Sequence, residues 1–195
     1  MKEEFLEKLK KINKDYYTLS DLAKIYGGGK ANLKIFLYRL IKNGRLLRLK
    51  RDVYILPEKA AGLEKIANQI YFPSYLSFES ALSLWGILSQ IPYVLTFATS
   101  RKSRSYFLSE KKVDYRQLKK DLFFGYFVKN GLCVAWPEKA LLDAFYLASM
   151  GKLKINFKNL DYSKISLKKF LSWLKKYPEK TQNLAKLNAL KFGRK

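Results

Sequence analysis

Residues 18–56 have the sequence TLSDLAKIYGGGKANLKIFLYRLIKNGRLLRLKRDVYIL, in which two helices and a hairpin are expected to follow one another. Thr18 is a typical helix N-cap, with Asp21 three residues later as its capping-box partner. The glycines at 27–29 predict the end of this first helix, because glycine enters left-handed backbone without steric cost. A longer helix over residues 30–43 and two short β-prone runs complete the stretch. This order of elements predicts a winged helix-turn-helix.

The second predicted helix has two unlike faces. Its apolar residues recur at the spacing of one buried helical stripe, and they are Leu33, Phe36, Leu37, Leu40 and Ile41. The residues that we place off this stripe are Lys30, Asn32, Lys34, Tyr38, Arg39 and Lys42. A basic outer face alone is typical of any solvated helix. Here the glycine turn and the basic hairpin agree with it, and together they favour DNA binding.

The fold assigns different tasks to these polar residues. In a winged helix-turn-helix, the second helix enters the major groove and the hairpin lies along the backbone or the minor groove. The cations expected to neutralise phosphates are Lys30, Lys34, Lys42, Arg48, Lys50 and Arg51. The candidates for reading base edges are Asn32, Tyr38 and Arg39, since asparagine can pair with adenine and arginine with guanine. For each of these three, contact with phosphate or water alone stays open as an alternative.

The composition favours a polyanionic partner and argues against an enzyme. The 195 residues include 39 Lys and Arg against 16 Asp and Glu, a formal net charge of +23, which predicts nucleic acid as the partner. Together with the winged-helix pattern, this charge leads us to expect double-stranded operator DNA. Histidine, the commonest general base and transition-metal ligand, does not occur. The single cysteine, Cys133, lies in an apolar run and is interpreted as a small core residue. A P-loop, clustered acids and a nucleotidyltransferase signature are also missing, so we expect no catalytic residues, no metal and no cofactor.

The sequence predicts a soluble protein of the cytoplasm, associated with DNA. Residues 1–14 are charged throughout, unlike a signal peptide. The apolar runs are too short to cross a bilayer, so we expect no membrane partner. RNA binding is a further alternative, disfavoured because an RRM- or KH-type signature is missing.

The predicted fold class is α+β, with a winged helix-turn-helix over residues 1–57 and a small mixed α/β domain over residues 58–195. The first domain also includes an amphipathic helix over residues 2–12. Helices in the second domain are expected over residues 60–70, 75–86, 137–150, 167–176 and 179–190. Strands are expected at residues 93–98 and in a hairpin around Asn130-Gly131, the strongest short hairpin signal in the chain.

Three segments of the second domain carry a resemblance to a known family: YLSFESALSLWGIL (75–88), TFATSRKSR (96–104) and AWPEKALLDAFY (135–146). Together with the preceding winged helix, they resemble the AbiEi family of antitoxins and transcriptional regulators. The resemblance covers residues 4–190. It implies an N-terminal domain that represses its own operon and a C-terminal domain that counteracts a nucleotidyltransferase-type toxin, with or without direct contact. Family members often have glycine in the wing turn, where this chain has Asp52.

Several polar residues have two interpretations that the sequence leaves open. Glu138, Lys139 and Asp143 form either a polar site for a ligand or partner, or structural ion pairs of a helix start. Glu79 has the same two interpretations. The basic clusters at residues 101–104 and 111–112 either extend the DNA-binding face or are solvated loops. A stand-alone winged-helix regulator, or a protein-interaction module without a toxin partner, is the alternative function.

Overall fold

The computed structural model of the chain describes residues 2–189, with the side chains of Lys30 and Ala189 outside that description. The described residues form eight α-helices and two sheets, a mixed α+β architecture that agrees with the predicted class. Two compact units are present. The first comprises the described residues up to Ile66 together with Phe107–Glu110. The second comprises Ala67–Tyr106 and the described residues from Lys111 onwards.

The first unit consists of three helices and a small antiparallel sheet. Its helices are α1 (Lys2–Ile12), α2 (Leu19–Tyr26) and α3 (Lys30–Lys42). Its strands are β1 (Tyr17–Thr18), β2 (Leu47–Lys50) and β3 (Val53–Ile55), in the order β1-β3-β2. The sheet and the helices share a core that includes Leu9, Leu22, Leu33, Leu37 and Leu40. Burial of the predicted stripe of α3 is therefore confirmed, with Ile41 only partly buried at its edge.

Helix α2 begins and ends as its sequence predicts. The Thr18 side chain accepts a hydrogen bond from the Asp21 amide at 3.1 Å, and the Asp21 carboxylate accepts one from the Thr18 amide at 2.9 Å. Gly27 follows the helix with φ 70°, a left-handed conformation that favours glycine. These two local signals fix the length of α2, and with it the point where α3 can begin.

The capping box gives a pH-dependent prediction for Asp21→Asn. The Thr18 amide and the Lys14 ammonium lower the pKa of Asp21 from 3.8 to about 2. Because this pKa is lower in the folded state, the stabilisation is complete above about pH 4 and disappears as the pH falls towards 2. We expect the substitution to reduce the free energy of unfolding by about 1 kcal/mol at pH 7. Urea titrations followed by circular dichroism should show this difference shrinking at pH 2.5; a constant difference would contradict the assignment.

The second unit is built on a six-stranded mixed sheet in the order β6-β7-β5-β4-β9-β8. The strands of this sheet are β4 (Ser74–Leu76), β5 (Leu95–Thr99), β6 (Arg104–Leu108), β7 (Lys111–Gln117), β8 (Tyr126–Lys129) and β9 (Leu132–Ala135). The last two residues of β6 are among those assigned to the first unit. Pairs β5–β7 and β4–β9 are parallel, whereas β4–β5 and β8–β9 are antiparallel. Helix α4 (Leu63–Ile70) contains the boundary between the units. The later helices are α5 (Phe78–Leu84), α6 (Pro137–Ser149), α7 (Leu167–Leu174) and α8 (Glu179–Ala189).

The structure confirms some of these predictions and corrects others. The hairpin at Asn130-Gly131 and the helix beginning at Pro137 are present. The helix predicted over residues 75–86 is wrong at its start, because Ser74–Leu76 form a strand between β5 and β9. Strands β6 and β7 were not predicted. The predicted end of the last helix, Leu190, lies outside the described residues.

Candidate nucleic-acid interface

Helix α3 presents a polar, largely cationic face to solvent. Its buried stripe packs in the core of the first unit, and the opposite side chains are exposed. The exposed predicted residues of this helix are Asn32, Lys34, Tyr38, Arg39 and Lys42. The helical backbone includes Lys30, whose side chain lies outside the described part of the structure.

The hairpin formed by β2 and β3 contributes the remaining predicted cations. Arg48 is exposed and Lys50 is half-buried, while the Arg51 side chain at the turn is 91% exposed. Asp52 completes the turn with φ 61°, and aspartate is one of the few residues other than glycine that enter this region readily. The turn therefore forms without the glycine common in the AbiEi family. The ion pair of Arg51 with Asp52 spans 3.7 Å in solvent and leaves the guanidinium available to other anions.

A cleft of about 480 Å³ separates α3 from the hairpin. It brings together side chains from both elements, and the predicted residues that line it are Lys34, Tyr38, Arg48 and Arg51. Asp52 is the acidic residue among the lining side chains. Asn32, Arg39, Lys42 and Lys50 do not line this cleft. Three of the predicted cations, Lys34 from the helix and Arg48 and Arg51 from the adjacent hairpin, thus meet at this cleft.

Sequence reasoning missed Ile35 on the same helical face. Its side chain is 54% exposed, beside Tyr38, which is 64% exposed. An apolar side chain on the outward face of a groove-binding helix can contact the methyl group of thymine. Ile35 could have been noticed as an apolar residue that falls off the buried stripe of α3.

The polar residues Lys139 and Asp143 of α6 form a closed cluster in the second unit. Both side chains are completely buried, and their ion pair joins residues one helical turn apart. Asp143 also accepts hydrogen bonds of 2.9 Å from the hydroxyls of Tyr75, Ser77 and Tyr177. Burial lowers the pKa of Lys139, an effect that the neighbouring Asp143 carboxylate opposes. Since every partner lies inside the fold, these contacts support the structural interpretation of the cluster.

Glu79 and Glu138, which the sequence left open as either site residues or structural ion pairs, are also paired. Glu79 accepts two hydrogen bonds from the Arg116 guanidinium, at 2.7 and 3.1 Å. Glu138 accepts a hydrogen bond from the Ser166 amide at 2.9 Å, and its second carboxylate oxygen lies 3.3 Å from the Lys169 ammonium. Both acids therefore connect elements within the second unit.

The basic clusters that follow β5 and begin β7 make local contacts in the second unit. The Arg101 guanidinium lies 4.6 Å from the centre of the Tyr71 ring and donates to the carbonyl of Phe72. The Lys111 ammonium donates to the carbonyl of Pro92, and Lys112 lies 3.5 Å from the Asp114 carboxylate. In each cluster, therefore, at least one cation is engaged in contacts within the second unit.

No group of three or more His, Cys, Asp and Glu side chains within residues 2–189 could hold a metal ion. Among the same residues, no helix combines the length and the apolar character needed to cross a membrane.

Comparison with known proteins identifies a similar fold. No family model matches the chain, and no curated protein matches it in sequence. The chain is similar in structure to the RV2827C protein from Mycobacterium tuberculosis, known from a crystal structure. The two share 13% sequence identity with a TM-score of 0.70, and the match covers 98% of this chain and 76% of that protein. At this identity the similarity shows the fold alone.

Proposed function

We propose that this protein is a DNA-binding transcriptional regulator whose first unit acts as a winged helix-turn-helix. In this proposal α3 is the recognition helix and the β2–β3 hairpin is the wing. The observation that carries it is the cleft where Lys34 and Tyr38 of α3 meet Arg48 and Arg51 of the hairpin. Cations from two adjacent elements can contact phosphates beside the recognition helix and along the flanking backbone at the same time.

The proposed binding mode assigns each exposed side chain a task. With α3 in the major groove, we assign bidentate hydrogen bonds with adenine and guanine edges to Asn32 and Arg39. Tyr38 and Ile35 supply apolar contact area on the same face. The cations Lys34, Lys42, Arg48, Lys50 and Arg51 fix the position of the protein on the duplex through phosphates. The assignment separates residues that give specificity from residues that give affinity.

We further propose that the regulator is an AbiEi-like antitoxin that represses its own operon and counteracts a nucleotidyltransferase-type toxin. This part rests on the resemblance of residues 75–88 and 135–146 to that family. In this chain the two segments meet at one point, because Tyr75 and Ser77 of the first segment donate to Asp143 of the second. The two segments that carry the resemblance therefore also help to hold the second unit together.

A gel-shift series tests the DNA-binding proposal with a duplex selected by the protein from a random pool and with a shuffled duplex. We expect Arg39→Ala and Asn32→Ala each to reduce affinity for the selected duplex by roughly 5- to 100-fold, since one bidentate base contact contributes about 1–3 kcal/mol of discrimination. Their affinity for the shuffled duplex should change much less. Arg48→Ala is the matched comparison, because a lost phosphate contact should weaken both complexes alike.

Two results would contradict this assignment. Equal losses for all three variants on both duplexes would remove the base-reading role of Asn32 and Arg39. Failure of the wild-type protein to shift either duplex at micromolar concentration and low salt would remove the DNA-binding proposal itself.

A further inference from the structure

We propose that a second pocket, in the second unit, binds a mononucleotide. This pocket has a volume of about 450 Å³, within the range of small-molecule sites. One side of the pocket is formed by the end of β7 and the residues after it. The other side is formed by the end of α6 and the turn after it. Every lining residue belongs to the second unit, so the site does not depend on the DNA-binding role proposed for α3.

Three cations and no acidic side chain line the pocket, which suits an anionic ligand. They are Arg116, Lys119 and Lys152. The two lysines are exposed, and neither forms an ion pair with an acid among residues 2–189. Arg116 is held in place by its two hydrogen bonds to Glu79. Glu79 already compensates the Arg116 charge, so the Lys119 and Lys152 ammonium groups are the cations available to a phosphate group.

Two hydroxyl groups can complete the contacts to phosphate oxygens. Ser103 accepts a hydrogen bond from the Gln117 amide at 2.9 Å, which leaves its own hydroxyl proton free to donate. The Tyr146 side chain, which is 4% exposed, also lines the pocket. Burial raises the pKa of Tyr146, so this hydroxyl remains a donor at neutral pH.

Of the four remaining lining residues, Gln117 is polar and the other three are apolar. Leu118 and Leu147 are buried at its floor, and Met150 is partly exposed at its edge. Methionine adapts its shape to aromatic groups and makes favourable contacts with them. A ligand that combines a phosphate group with an aromatic base matches both kinds of lining residue. A mononucleotide has this combination.

Isothermal titration calorimetry of the full-length protein with AMP, GMP, CMP and UMP tests the proposal. We expect saturable binding of at least one mononucleotide, tighter than that of inorganic phosphate or of the corresponding nucleoside. In Lys119→Ala/Lys152→Ala, affinity for the best nucleotide should fall at least tenfold, because two charge-assisted contacts are lost. Tyr146→Phe should weaken it by a smaller factor while keeping the ring in place.

The matched control is Lys154→Ala/Lys158→Ala, which removes two exposed lysines of the second unit that do not line the pocket. This variant should bind the nucleotide within twofold of the wild type. Equal losses in the two double variants would overturn the proposal in favour of non-specific attraction by a basic protein. Absence of saturable binding at millimolar nucleotide, or equal affinity for inorganic phosphate and the best nucleotide, would also overturn it. Tighter binding of a single-stranded oligonucleotide that depends on the same two lysines would overturn it in favour of a polymer.

Discussion

Asp143→Ala is expected to destabilise the second unit by about 3–5 kcal/mol, the usual cost of breaking a buried ion pair from one side. The substitution would leave the Lys139 ammonium buried without its countercharge. It would also leave the hydroxyls of Tyr75, Ser77 and Tyr177 without the carboxylate that accepts their hydrogen bonds. A buried hydroxyl or ammonium group that loses its hydrogen-bond partner destabilises the fold by its full desolvation free energy.

Tryptophan fluorescence during urea unfolding measures this loss directly, because Trp85, Trp136 and Trp173 all belong to the second unit. The double variant Lys139→Met/Asp143→Ala should recover part of the stability, since it removes the charge that the single variant leaves unpaired. Asp121→Ala is the matched control on an exposed carboxylate and should change the free energy of unfolding by about 0.5 kcal/mol or less. A loss below about 1 kcal/mol for Asp143→Ala would contradict the role of this cluster.

Local signals made the first unit predictable. The capping box of Thr18 and Asp21 and the left-handed Gly27 act over a few residues, so sequence alone locates the end of α2 and the start of α3. The buried stripe of α3 is a periodic pattern and was predicted for the same reason. The residues outside this stripe were then predicted to form the polar face of α3. Ile35 was missed because it is apolar but does not fall at the spacing of the buried stripe.

Long-range pairing made the second unit harder to predict. Tyr75 and Leu76 look helical because an apolar run continues from them into α5, yet they pair with β5 and β9, strands far along the chain. The mononucleotide pocket draws on Ser103, on residues 116–119 and on residues 146–152, three separate stretches without a shared motif. The partners of Asp143 were hidden in the same way, since Tyr177 lies 34 residues away.

The affinity of the wild-type protein for duplex DNA should fall steeply with salt if the surface formed by α3 and the hairpin binds phosphates. Each phosphate contact releases condensed counterions, so six such contacts give a log–log slope of roughly −5. An increase from about 50 to 200 mM salt should then weaken binding by about 10³-fold. A protein-interaction module with the same charge would not show this salt-dependent affinity for DNA.

The most direct test compares this slope between two variants that each remove two exposed lysines from the first unit. Lys34→Ala/Lys42→Ala removes them from the outward face of α3, and Lys2→Ala/Lys11→Ala removes them from α1. Fluorescence anisotropy of a labelled duplex over a salt series should show a slope shallower by about 1.8 for the α3 variant, or 0.9 per contact. The α1 variant should keep the wild-type slope. Equal slopes for wild type and the α3 variant would contradict the claim that this helix lies against DNA.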